Sequence, residues 1–82
     1  MGIRDDAKTV AQRMVEAVCE QGTFKSTYSL GYKNFVDGFG LTEQRRQICF
    51  EYLESIGCIK YKSNTDCLFI ITPQIVDFVE GD

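Results

Sequence analysis

Eighty-two residues, 44% hydrophobic and 26% charged, make one globular domain, too short for a second core and too apolar for a disordered chain. The net charge of −3 weighs against a protein that coats nucleic acid by bulk electrostatics, because affinity for DNA comes largely from neutralising phosphates. No apolar run approaches the roughly 18 residues that span a bilayer. The N-terminus, residues 1–6, carries acids and lacks the apolar stretch of a signal peptide, so cytoplasmic residence and no membrane partner are expected.

The first helix is predicted over residues 4–20. Ala7, Val10, Ala11, Met14, Ala17 and Val18 recur at three- and four-residue steps and share one face. Asp5 and Asp6 suit its N-terminal dipole, and Gly22 is placed to stop it. Residues 23–28 are β-prone, with Phe24, Ser26 and Tyr28 on one side of a short strand or extended connection. Ser29 can cap a brief helix at about 30–37, with Leu30, Phe35 and Val36 inward. Asp37-Gly38-Phe39-Gly40 then reads as a tight turn.

Thr42 caps the next helix, whose expected apolar stripe is Leu41, Ile48, Cys49, Tyr52, Leu53 and Ile56, and Gly57 ends it. An alternating strand follows and turns at Ser63-Asn64-Thr65-Asp66. The chain returns as Cys67-Leu68-Phe69-Ile70-Ile71. In this hairpin Ile59, Tyr61, Leu68 and Ile70 are expected to face the helices, leaving Lys60, Lys62, Phe69 and Ile71 on the other side. Pro73 opens a closing helix that holds Ile75, Val76, Phe78 and Val79.

This order of elements, an α+β pattern, resembles a winged helix-turn-helix domain. Residues 30–56 look like the helix-turn-helix and residues 58–71 like a wing of two or three strands. The run Tyr52-Leu53-Glu54-Ser55-Ile56-Gly57-Cys58-Ile59-Lys60-Tyr61 resembles the close of the recognition helix in small winged-helix regulators. Ile70-Ile71-Thr72-Pro73 is similar to the exit from the wing in MarR-like and PadR-like members.

The resemblance implies duplex DNA binding, as a transcriptional regulator or a replication or segregation factor of a mobile element. Thr42, Gln44, Arg45, Arg46 and Gln47 would then meet the major groove, where arginine pairs with guanine and glutamine with adenine. Lys60, Lys62, Ser63, Asn64 and Thr65 at the wing would meet phosphates or the minor groove. Charge is segregated to suit, with two more cations than acids over residues 22–65 and acids alone over residues 66–82. A homodimer is expected, since two-fold proteins read two half-sites. Its surface would be the first and last helices, with Phe78 and Val79, or the outer face of the hairpin, with Phe69 and Ile71.

The same residues admit plainer roles. Charged first-turn positions are often only a solvated helix face, and edge lysines protect a strand from pairing with another chain. Glu43 and the acidic C-terminal segment favour a winged-helix module that binds a protein partner and no DNA. Tyr28, Tyr32, Phe35 and Phe39 could stack single-stranded bases or fill a small core.

No enzyme is expected. The chain has no histidine, phosphate loop, GxGxxG or GxSxG. Cys19, Cys49, Cys58 and Cys67 show no CxxC spacing, so no metal or cofactor is expected and the thiols read as reduced and structural. Cys58 and Cys67, near the wing, are the candidates for redox sensing.

Overall fold

Ile3–Gln21 forms helix α1 in a computed structural model that describes residues 2–29, 40–62 and 68–81. The six positions selected by the helical spacing, Ala7, Val10, Ala11, Met14, Ala17 and Val18, are all buried. Gly22 closes the helix at φ 78°, a left-handed conformation that strains any L side chain, and its N–H donates to the Val18 carbonyl at 2.8 Å.

Strand β1 spans Thr27–Ser29, with Tyr28 buried between two exposed neighbours. The strand is confined to the end of the β-prone stretch, because residues 24 and 25 turn before it begins. The helix expected at 30–37, with Leu30, Phe35 and Val36, lies outside the described residues, as do Tyr32 and Asp37-Gly38-Phe39.

Helix α2 spans Glu43–Ser55, and Thr42 caps it by accepting the Arg45 N–H on its Oγ1 at 3.2 Å. Replacing that hydroxyl leaves a helix-start donor without its partner. Thr42→Ala is therefore expected to cost about 1 kcal/mol in urea denaturation. The helix ends in a reciprocal turn in which Cys58 N–H donates to the Leu53 carbonyl at 2.9 Å and Gly57 N–H to Glu54 at 3.0 Å. Gly57 sits at φ 87° to allow it.

One position of the expected α2 stripe is corrected. Cys49, Phe50 and Leu53 are buried, whereas Ile48 is 47% exposed. Each residue advances about 100° around a helix, so an arc centred on Cys49, Phe50 and Leu53 turns Ile48 outward. Leu41, Tyr52 and Ile56 pack against the core from its margins.

Strands β2 (Ile59–Tyr61) and β3 (Leu68–Ile71) complete a three-stranded antiparallel sheet in the order β1-β3-β2. Tyr28, Phe69 and Tyr61 align across one row and Ile59 with Ile71 in another; these face the helices. Thr27, Ile70 and Lys60 align on the opposite face.

The hairpin is thus one residue out of the expected register, and such a slip exchanges the two faces of a strand. Phe69 and Ile71, expected on an outer or dimer surface, are fully buried, while Leu68 and Ile70 are partly exposed. The slip lets Phe69 meet three rings, those of Phe50, Tyr28 and Tyr61, at centroid distances of 5.7, 6.0 and 6.3 Å. The expected register would have put this large side chain in water.

Helix α3 spans Gln74–Glu80 and buries Ile75. Its entry stitches it to the end of α2. Thr72 N–H donates to the Cys58 carbonyl at 2.9 Å, Thr72 Oγ1 donates to the Gly57 carbonyl, and Gln74 Nε2 reaches the Ile56 carbonyl at 3.4 Å. Carbonyls at a helix end lack intrahelical partners, and these donors supply some. The described elements form an α+β domain of three helices and one antiparallel sheet, with α1 packed on both α2 and α3. Among the described residues no helix is long and apolar enough to cross a membrane.

Candidate nucleic-acid interface

The residues expected to read DNA from the first turns of α2 divide into two groups. Gln44 and Gln47 are exposed. Thr42 is also exposed, but its hydroxyl is committed to the cap. Arg45 turns back onto α1, where its Nε donates to Asp6 Oδ2 in a charge-assisted bond. The two side chains retain 36% and 18% exposure, so this contact is partly shielded from solvent. Arg46 is partly buried, and Glu43, Glu51 and Glu54 are exposed.

The open stripe of α2 therefore runs Gln44, Gln47, Ile48, Glu51 and Ser55, positions three and four residues apart on one face. It keeps the two expected amides, adds an isoleucine and lacks the two expected arginines. Two of the residues that shape this face, Asp6 and Ile48, are absent from the expected set. Asp6 lies 39 residues from its partner and leaves no local signal. Ile48 could have been recognised only by weighing it against Phe50 for the core-facing arc.

Lys60 and Lys62 are exposed. Lys60 lies opposite Ile70 on the sheet face turned away from the helices, and Lys62 N–H donates to the Leu68 carbonyl at 3.0 Å. With Tyr61 and Ile70 the two lysines line a shallow cleft of about 440 Å³. Burial, then the charges of Glu54 and Glu51, push the Tyr61 phenol above its ordinary pKa. Ser63, Asn64 and Thr65 at the wing tip lie outside the described residues.

The surface suggested for dimerisation is partly consumed within the chain. Phe78 is partly buried with its ring 6.2 Å from that of Tyr52, and Val79 packs against the same core. A cleft of about 310 Å³ opens between Arg4, Tyr52, Ile56, Gln74 and Phe78, where all three helices meet.

Cys49 and Cys58 are free, buried thiols. Burial, then Asp6, push Cys49 upward against an opposing effect of Arg45. Burial alone raises Cys58 to about 11. A buried, protonated thiol is a poor nucleophile, which counts against redox sensing at Cys58; Cys67 lies outside the described residues. Cys19 is exposed, which removes it from the thiols expected to be structural. Among the described residues no three Cys, Asp or Glu side chains gather where they could hold a metal ion.

Comparison with protein-family models, curated proteins and solved structures finds no match to this chain.

Proposed function

We propose that this chain is a winged-helix domain that binds duplex DNA, offering the exposed face of α2 to the major groove and Lys60 and Lys62 to the phosphate backbone. The observation that supports the reading is the strand order β1-β3-β2 among described elements that run α1, β1, α2, β2, β3, α3. A hairpin that directly follows a helix and pairs its second strand with β1 supports the winged-helix reading. A fold alone assigns no function, so the chemistry of the exposed groups matters equally. Gln44 and Gln47 can bond base edges, while Lys60 and Lys62 supply cations for phosphates. Arg45 serves instead to fasten α2 to α1 through Asp6. Two copies reading two half-sites would supply the affinity that one small module lacks. Control of transcription and replication or segregation of a mobile element are the roles such a protein would fill.

The Arg45–Asp6 pair also favours a second reading. With one arginine neutralised and Glu43, Glu51 and Glu54 exposed on α2, the helix surface is acidic enough to suit a protein partner.

Fluorescence anisotropy of labelled random-sequence duplex, titrated over a series of salt concentrations, separates the two. Micromolar, salt-steep binding is expected, with Lys60→Ala/Lys62→Ala lowering the salt slope by about 2. Folded protein that binds no duplex at low salt would overturn the DNA reading in favour of a protein partner.

A further inference from the structure

Ile48 is the one large apolar side chain among the described residues that stands out as exposed, at 47%. It is flanked on the same face of α2 by Gln44 four residues before it and Glu51 three after it, with Gln47 adjacent. The inference drawn from this stripe rests on the DNA-binding reading above.

We propose that this stripe selects A·T base pairs, with Ile48 packing on the 5-methyl group of thymine and Gln44 and Gln47 bonding the adenine edge. In the major groove only thymine presents a methyl group. Adenine presents a paired acceptor and donor, N7 and N6, which a glutamine amide matches with its own donor and acceptor. A helix that carries two amides in the turn leading to an exposed isoleucine offers both complements on one face. The usual reader of guanine is an arginine that bonds O6 and N7 together. Arg45 is held by Asp6, and Arg46 is partly buried on the arc of α2 that carries Phe50 and Leu53, away from the stripe. Glu51, one turn beyond Ile48, repels phosphates and so confines close approach to the first turns of the helix.

The test begins with selection of sites from a randomised duplex library by the full chain. The best site is then remade with deoxyuracil in place of thymine, which deletes the methyl groups and keeps every base-pairing bond. Selected sites are expected to be rich in A·T pairs, and wild type should bind the uracil duplex about fourfold more weakly for each methyl it contacts. Ile48→Ala, a change at an exposed helix position that leaves the core intact, should bind both duplexes equally. Gln44→Ala should lose fivefold or more for the selected site. Sites rich in G·C, or equal wild-type affinity for thymine and uracil duplexes, would overturn this proposal while leaving DNA binding in place. Absence of binding to any duplex at low salt would instead remove the DNA reading on which it stands.

Discussion

Phe69→Ala is expected to remove most of the stability of this domain. Phe69 lies on the central strand of the sheet, is fully buried, and touches the rings of Tyr28, Phe50 and Tyr61. Deleting a buried phenyl ring costs about 3–5 kcal/mol, through lost transfer energy and the cavity left behind. A chain of this length has on the order of 4–12 kcal/mol in total. Urea unfolding followed by far-UV circular dichroism should show the midpoint fall close to zero denaturant. Ile70→Ala, on the other face of the same strand, should cost less than about 1.5 kcal/mol, because that side chain stays partly in water. Equal losses at the two positions, or a larger one at Ile70, would mean that the strand sits in the other register.

That pair of substitutions marks where the sequence stops being readable. Cys67-Leu68-Phe69-Ile70-Ile71 is apolar throughout, so alternation cannot say which residues turn inward. What decides is non-local: Tyr28 on β1 and Tyr61 on β2 both lie opposite Phe69. Helix α1, by contrast, was legible in its six buried positions and to within one residue at each end, because those apolar positions and Gly22 form a local pattern. Thr42 and Gly57 were legible as helix ends for the same reason, their roles being fixed by backbone chemistry within a few residues.

The candidate interface was legible in its amides and lysines and illegible in its arginines. Polar residues in the first turn of α2 are visible in sequence, but their directions depend on what α1 presents to them. Asp6 converts Arg45 from a free cation into a tie between two helices. Ile48 moved the opposite way, from expected core to exposed surface, once Phe50 occupied the arc facing the sheet. Both changes alter the chemistry offered to a partner while leaving the element order untouched.

Stability is expected to fall as pH rises above about 9, with Cys58 the largest single contributor. This thiol is fully buried and its pKa is raised from 9.0 to about 11, because the charged form would lie in a desolvated site. Between those values the unfolded chain has released the proton and the folded chain still holds it. The folded state therefore binds more protons, and its stability declines with pH by roughly 1.4 kcal/mol per pH unit. The contribution is complete below the unfolded pKa and is lost as pH climbs through the folded one. Cys49 and Tyr61 are shifted in the same direction and add to the slope. Urea midpoints measured under reducing conditions from pH 7 to pH 10.5 should be level at first and then drop. Cys58→Ala should start lower, from the packing it loses, and drop less steeply. Because Cys58 joins Gly57 to β2 and its carbonyl accepts the Thr72 N–H, the slope reports how tightly the end of α2 is sealed against the start of α3. An alkaline slope unchanged by Cys58→Ala would show that water reaches this junction in the folded protein.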